Sequence, residues 1–382
     1  MLLPSWRQQL VLLAKLDSLI RDTLTHILGS AVGGQQWSQA QLPVAMGGLG
    51  LTSAVDHSAG AYTASVLSSE ILKQGLLPNG NISTDLSNVV ALLNTKVQEE
   101  LSEEELFGMS QKAVSLSINL KLQQSLTNSL SELRDKARMA SLSLPHAGDW
   151  LNVIPSPVLG LHVRPQEFRY SVLYRLGSPI YPTSGPCPAC QKPSDRFGDH
   201  AIICANDGER IARHNQLRDA VFQAAVSANL APRKEEQALL PGNNAKPADV
   251  LIPNWSGGRD TALDVTVPSP LNPDRLVKSA ETPGHTLTEA FNKKCNQTLL
   301  ACEREGIVFI PLPVETLGGW HDRAVDQLRK LARAQARNTG KEEDEAIRHL
   351  FQRLGVLLVR GNAALFLNRV PSFPSPEVDG AE

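Results

Sequence analysis

The sequence predicts a mostly α-helical N-terminal half followed by a small α/β domain that contains a mixed sheet. In the first half, apolar residues recur at steps of three and four residues, which is the period of a helix packed on one face. After Gly208, short runs of β-branched residues alternate with further helical patterns. A connector rich in Pro, Gly and Cys separates the two patterns, and we place a domain boundary at Gly177–Pro186.

Composition excludes several classes of protein. The chain has 382 residues, of which 42% are hydrophobic and 20% charged, so it is globular rather than disordered and long enough for two or three domains. A formal net charge of −2 excludes a histone-like polycation, and a content of only 5% aromatic residues argues against a broad base-stacking surface. We expect no membrane segment and no signal peptide. An odd number of cysteines, five, predicts reduced thiols in the nucleus or cytoplasm and not a secreted protein.

The N-terminal half is predicted to be a series of helices. The first spans Trp6–Leu28 and ends at Gly29, because Leu and Ile recur along one face and glycine favours a helix end. The segment 37–51 predicts tight turns at its glycines beside a buried leucine. Helices continue through 53–142, and a short one spans 165–176.

The C-terminal half is predicted to order its elements as helix, three strands, helix, strand and helix, around a mixed sheet. The predicted helices are 208–229, 286–305, 320–336 and a last one ending near Arg360; the predicted strands are 234–240, 248–252, 261–267 and 307–314. The Pro- and acid-rich tail, 370–382, is predicted to be disordered.

Three cysteines and a histidine form a compact pattern in the connector. Cys187-x2-Cys190-x9-His200-x3-Cys204 has the spacing of a tetrahedral Zn²⁺ site, and four protein ligands leave no open position, so the zinc would be structural. His214 is a rival to His200 as the fourth ligand. Cys295 and Cys302 share one predicted helix and are interpreted as core residues instead.

A set of carboxylates points to a second metal. Asp249 and Asp264 would lie near the starts of two strands of a hairpin, and bringing two carboxylates together favours a cation between them. Mg²⁺ is held by one or two carboxylates together with a substrate phosphate, and it promotes phosphodiester displacement. Glu236 could add a third carboxylate, and either Lys293 or Lys294 could act on the attacking water. The alternative is that each Asp caps a strand or turn.

Basic residues cluster on the helix that follows the cysteines. Arg210, Arg213, His214 and Arg218 are predicted to contact DNA phosphates, which would make binding sensitive to salt. The alternative is an ordinary solvated helix face.

Taken together, these motifs resemble a known family. Pro247-Ala-Asp249, Asp264-Val-Thr266 and a lysine on the next helix resemble the PD-(D/E)xK restriction-like nuclease core. With the preceding Cys-Cys-His-Cys knuckle and Arg213-His-Asn215, they resemble the C-terminal part of site-specific non-LTR retrotransposon polyproteins. Gln36-Trp37, Leu42-Pro43, the 47–51 glycine segment and 311–320 are similar to segments of the same polyproteins.

The resemblance implies a restriction-endonuclease-like domain that nicks one strand of target DNA, exposing a 3′ hydroxyl that primes reverse transcription of the element's RNA. It implies that Asp249 and Asp264 bind Mg²⁺, that Lys294 is catalytic with Lys293 as rival, and that Cys187, Cys190, His200 and Cys204 bind Zn²⁺. The implied division is a reverse transcriptase thumb-like remnant (1–60), a helical linker (61–180), the knuckle (181–209), the nuclease (210–340), a C-terminal helix (341–369) and the tail.

The sequence departs from the family pattern in three ways. Thr266 stands where the strand motif normally has lysine, the Pro-Asp dipeptide is stretched to Pro-Ala-Asp249, and no polymerase signature occurs, so we expect no polymerase activity from this chain. One rival interpretation is a non-catalytic module that binds DNA or RNA through the knuckle and basic helices. Another is an inert product of a decayed element. The sequence does not decide the oligomeric state or whether Glu236, Glu315 or neither joins the site.

Overall fold

The structure is a computed structural model that describes residues 6–76, 86–206, 208–236, 239–240 and 247–370. The chain divides into two compact units, Met1–Ser131 and Glu132–Glu382, which are treated separately below. Of the predicted disordered tail, residues 371–382 lie outside the described residues, as do 237 and 238 within the first predicted strand.

The described part of the first unit is helical, as predicted. Its helices are α1 (Trp6–Leu28), α2 (Gly34–Gln41), α3 (Ala54–Leu76), α4 (Ser87–Asn94), α5 (Glu103–Phe107) and α6 (Gln111–Ser129). The first helix begins and ends at the predicted residues. A core of aliphatic side chains, which includes Leu93 and Val114, packs α3, α4 and α6 together.

The glycine segment of the first unit is a tight loop for two different reasons. Gly47 has a φ of 88°, a left-handed conformation that favours glycine. Gly48 is instead required by close approach, because a Cβ atom there would lie 1.9 Å from the carbonyl oxygen of Leu42. The buried Gln39 closes the loop by donating from Nε2 to the Gly47 carbonyl at 2.9 Å.

The second unit combines helices with two sheets. Its helices are α7 (Leu133–Leu142), α8 (Pro165–Arg175), α9 (Asp199–Ile203), α10 (Glu209–Ser227), α11 (Leu276–Glu281), α12 (His285–Arg304), α13 (Asp322–Thr339) and α14 (Glu343–Leu367). Its strands are β1 (Gly185–Pro186), β2 (Pro193–Ser194), β3 (Arg233–Lys234), β4 (Val250–Ser256), β5 (Arg259–Thr266) and β6 (Val308–Pro313).

The larger sheet is mixed, as predicted. Its strand order is β3-β4-β5-β6, in which β3, β4 and β5 are antiparallel neighbours and β5 pairs with β6 in parallel. A parallel pair needs a long crossover connection, and the segment that contains α11 and α12 supplies it. The sequence prediction missed α11, a single short helix in this crossover.

Both faces of β5 are covered by other elements. Successive side chains of a strand point to opposite sides, so neighbouring residues of β5 pack in different clusters. Leu263 and Val265 pack with residues of α10, α13 and α14, whereas Ala262 packs with Phe309 and the fully buried Cys302. Cys302 is therefore a core residue, as predicted, while Cys295 on the same helix is half-buried.

The long helix α14 runs through the interior of the second unit and extends beyond its predicted end. By length and composition it could cross a membrane, yet 72% of its apolar window is buried inside the unit, as in the core helix of a globular fold.

The predicted boundary at Gly177–Pro186 lies inside the second unit. Tyr181 of this segment donates from its hydroxyl to the Phe366 carbonyl of α14 at 2.9 Å, and it is 2% exposed. Packing of the connector on α14 therefore joins the knuckle to the same compact unit as the sheet.

Candidate metal centre and carboxylate site

Four donor atoms converge in the connector. The Sγ atoms of Cys187, Cys190 and Cys204 and a ring nitrogen of His200 all lie within 4.8 Å of one another, and the group could hold a metal ion such as zinc. The two thiols of Cys187 and Cys204 are 3.9 Å apart, and Cys190 Sγ lies 3.3 Å from Nε2 of His200. Ligands of a tetrahedral Zn²⁺ at Zn–S distances of ~2.3 Å would be separated by about 3.8 Å, so the donor set fits this ion.

The chain around the cysteines is shaped by local hydrogen bonds. β1 and β2 form a short antiparallel ribbon, and the Cys187 amide donates to the Lys192 carbonyl at 2.8 Å across the turn that carries Cys190. The carboxylate of Asp195 then accepts from the amide of His200 at 2.7 Å. These contacts place Cys187 and Cys190 on a turn, His200 on α9, and Cys204 directly after the end of α9.

The knuckle also rests on α14. Gly198 has a φ of 83°, and a Cβ atom there would lie 2.9 Å from the ring of Phe366. Arg134 of α7 donates to Asp199 at 2.5 Å, and the fully buried Arg369 pairs with Glu209 at 2.8 Å. Helices of the second unit therefore hold the knuckle at its α9 end.

The predicted rival ligand, His214, does not join this cluster. It lies on α10 with Nε2 3.0 Å from Oδ1 of Asp249. The structure thus selects His200 at the cysteines and places His214 in the carboxylate site, a location that the sequence analysis did not assign to it.

The two aspartates meet across the β4–β5 pair, although one of them lies elsewhere than predicted. Asp249 precedes β4, but Asp264 lies near the end of β5 and not near its start. The correction follows from geometry: in an antiparallel pair, the start of one strand faces the end of its neighbour. The Asp249 amide donates to the Leu263 carbonyl at 2.9 Å. The side-chain Oδ2 of Asp249 accepts from the Val265 amide at 2.6 Å.

Lys294 completes this site from α12. Its Nζ lies 2.7 Å from Oδ2 of Asp264. That oxygen is buried, and the Lys294 amine forms an ion pair with it. The side chain of Asp264 is 11% exposed and that of Lys294 is 34% exposed, so the lysine reaches the carboxylate from the solvent side.

The electrostatics of the site reflect crowded charge. Burial raises the pKa of Asp264, and the neighbouring Asp249 carboxylate raises it further, whereas Lys294 opposes both effects. The hydrogen bond to Asp249 raises the pKa of His214 against the opposing effect of burial. Among the described residues, Asp264 therefore has the Lys294 amine as its partner, and Asp249 has the imidazole of His214.

Three further candidates from the sequence do not join the carboxylate site. Glu236 pairs with Arg233 at 3.5 Å, and the knuckle is the only close group of three or more potential metal ligands among the described residues, so the expected third carboxylate is not found. Lys293 is exposed, and Lys294 makes the contact with Asp264. Glu315 is 1% exposed and accepts from the Ser141 hydroxyl.

The predicted DNA-binding face of α10 is not formed by the four residues named for it. Arg213 is 2% exposed and donates to Oδ1 of Asn362 at 2.7 Å, and burial lowers its pKa to about 10. Arg218 is 6% exposed and pairs with Glu235. Only Arg210 is exposed, and it donates to the Ile203 carbonyl at 2.9 Å. This burial cannot be predicted from the local pattern of α10, because the partners come from α14 and from the region of β3.

No protein-family model matches the chain, and no curated protein matches it at a significant level.

Proposed function

We propose that the second unit carries a Mg²⁺-dependent DNA endonuclease centre of the restriction-like type, and that the chain derives from the C-terminal part of a site-specific non-LTR retrotransposon protein. Its substrate would be target DNA, of which it nicks one strand. The observation that carries the proposal is the convergence of Asp249, Asp264 and Lys294, which are distant in sequence, at one end of the β4–β5 pair.

The residues present fit a Mg²⁺ ion. The Oδ2 of Asp264 is buried next to the Lys294 amine, and both burial and the negative charge of Asp249 raise the pKa of Asp264. Such an arrangement of like charges favours a cation between them. Two carboxylates suffice, because Mg²⁺ takes its remaining ligands from water and substrate phosphate.

Each side chain has a role in this proposal. Asp249 and Asp264 would hold Mg²⁺, which supplies charge stabilisation at the scissile phosphate and lowers the pKa of bound water. Lys294 donates from Nζ to the attacking water and stabilises negative charge that develops on the phosphate. His214 holds Asp249 in place through its Nε2 contact, and the Val265 amide fixes the other oxygen of the same carboxylate.

The lysine position supports this interpretation in a specific way. Thr266 occupies the position at which the strand motif normally has lysine. The amine of Lys294, on α12, lies next to the Asp264 carboxylate instead. A lysine on a helix can replace one on a strand when its Nζ reaches the same point, because the chemistry depends on the position of the amine.

The knuckle is proposed to hold a structural Zn²⁺. Four protein donors close the coordination sphere, which leaves no position for substrate. We propose that the ion holds the turn of Cys187 and Cys190 against α9, in addition to the hydrogen bonds and ion pairs of this segment.

Nicking of supercoiled plasmid DNA tests the endonuclease. With Mg²⁺ present, we expect the full chain to convert supercoiled DNA to the open-circular form, and Asp264→Asn to lower the rate by about 100-fold or more. Asp274→Asn is the matched control, because it removes an exposed carboxylate of the same unit. Equal nicking by wild type and Asp264→Asn, or none by either, would refute the proposal.

A second candidate function is non-catalytic binding of nucleic acid. It is favoured by the internal pairing of both carboxylates, Asp249 with His214 and Asp264 with Lys294, which gives each carboxylate a partner within the protein without a metal. Mg²⁺ titration followed by calorimetry separates the two functions: a protein that binds DNA but neither binds Mg²⁺ nor nicks supports the second.

A further inference from the structure

A concave basic surface lies at the other end of β5 from Asp264. This basic groove, of about 630 Å³, is lined by the β4–β5 turn and by α13. Its lining residues are Trp255, Ser256, Gly257, Arg259, Lys330, Arg333, Ala334 and Arg337. Arg259 begins β5, five residues before Asp264, and a strand rises ~3.3 Å per residue, so the two side chains originate about 17 Å apart along the strand.

The groove concentrates unbalanced positive charge. Arg259, Lys330, Arg333 and Arg337 are all exposed, and no acidic residue is among the described residues that line it. Glu343 approaches Arg333 at 3.4 Å and Arg337 at 3.6 Å. Within the described part of the chain, Arg259 and Lys330 form no ion pair. Like charges this close repel one another, so the groove is suited to an anionic ligand.

The charges follow a line rather than surround a point. Lys330, Arg333 and Arg337 are spaced by three and four residues, which places them on one face of α13 over about 10 Å. A nucleic-acid strand carries one charge per ~3.4 Å along its axis, so this length corresponds to roughly three successive phosphates.

The surface also continues beyond the basic groove. Arg259 and Lys330 line a second groove of about 430 Å³ as well, whose other walls include Phe291 of α12 and Arg323 of α13. Two adjoining open grooves that share a pair of cations suit an extended polymer better than a small anion. The second groove includes Glu303 and Asp326, so the excess of positive charge is concentrated in the first.

We propose that the basic groove binds the phosphate backbone of a nucleic-acid strand. Arg259, Lys330, Arg333 and Arg337 contact successive phosphates, and the half-buried Trp255 offers an apolar ring to a base. This site goes beyond the proposed cleavage at Asp264 and does not require it, because it uses different residues and no metal.

Fluorescence anisotropy in magnesium-free buffer tests this site. Labelled single-stranded DNA, duplex DNA and RNA of one sequence are titrated with the full chain and with the double variant Arg259→Gln/Lys330→Gln. We expect the variant to bind the preferred strand on the order of tenfold more weakly at 50 mM salt. The slope of log affinity against log salt should fall by roughly 1.4–1.8, which corresponds to two lost phosphate contacts.

The matched control is Arg329→Gln/Arg348→Gln, which removes two exposed cations of α13 and α14 that line neither groove. It should bind like the wild type. Equal affinities and slopes for the two double variants would overturn the proposal, and so would polyglutamate competing as well as nucleic acid of equal charge. The three labelled strands identify which nucleic acid the groove prefers, and loss of nicking in Asp264→Asn would leave this result unchanged.

Discussion

The knuckle and the carboxylate site bring their functional side chains together in opposite ways. The knuckle takes its ligands from one short segment, in which a turn and a one-turn helix already bring them together. The carboxylate site takes one residue each from α10, the start of β4, β5 and α12. The comparison shows that the first site is assembled by local chain geometry, and the second by sheet register and helix packing.

The two sites also neutralise their charges differently. The cysteine cluster has four donor atoms within 4.8 Å of one another and could hold a metal ion, which would balance any charge on its thiolates. In the carboxylate site the protein itself supplies a partner to each aspartate, His214 to Asp249 and Lys294 to Asp264. We therefore expect metal removal to disturb the structure of the knuckle far more than that of the carboxylate site.

Loss of a knuckle ligand should have the largest effect. We expect Cys204→Ser to lose bound zinc and to destabilise the second unit by several kcal/mol, because binding energy of a structural metal is folding energy. Zinc content by atomic absorption, together with thermal melting, measures this. Cys295→Ser, which changes a half-buried cysteine outside the cluster, should keep both properties. Equal zinc content in the two variants would show that the cluster is not a metal site.

Substitution of Lys294, compared with substitution of its neighbour Lys293, should have the next largest effect. Lys294→Gln should lower the nicking rate by about 100-fold or more, because the amine near Asp264 is lost. Lys293→Gln removes an exposed amine one residue away and should change the rate by less than about twofold. Single-turnover nicking measures both rates, and equal losses would indicate that position relative to Asp264 is unimportant.

Glu315 is a buried carboxyl with no cationic partner among the described residues, in contrast to the two aspartates of the carboxylate site. Glu315 accepts from the Ser141 hydroxyl, and burial raises its pKa to about 7. Because the folded state holds the proton more tightly than the unfolded state, the associated stability is complete below pH ~4.5 and is lost as the pH rises through about 7. Glu315→Gln should remove up to roughly 3 kcal/mol of this pH dependence, measured by urea unfolding from pH 4 to 8. If Glu315→Gln kept the pH dependence of the wild-type unfolding free energy, this prediction would be wrong.

The smallest effect is expected at His214. Its hydrogen bond with Asp249 raises its pKa above 6.5, so the stability from this pair is complete below pH 6.5 and is lost as the pH rises through the folded-state value. His214→Gln should cost about 1 kcal/mol or less in acid, since the side chain is 30% exposed and the charge is screened, and the difference should vanish at higher pH. A constant difference across pH would instead indicate lost packing.

Sequence patterns predicted the elements well where periodicity was strong. The bounds of α1 agreed, and α8, α10, α12, β5 and β6 were placed within a few residues. The prediction of α14 stopped early because its last turns are apolar on nearly every side, and a helix buried all around lacks the one-sided pattern that marks its end. The predicted strand 234–240 is short in the described residues, since only Arg233 and Lys234 pair with β4.

The sequence by itself identified the three clustered cysteines and the pair Asp249 and Asp264 as candidates, because residue type and local spacing suffice for those choices, and it left His200 or His214 and Lys293 or Lys294 as alternatives. Tertiary structure alone decided that Asp264 lies at the end of its strand, that Lys294 rather than Lys293 reaches it, and that Arg213 and Arg218 are interior. The physical reason is that these outcomes depend on contacts between α10, α12, α14 and the sheet, elements that are distant in sequence and meet only through burial of apolar faces.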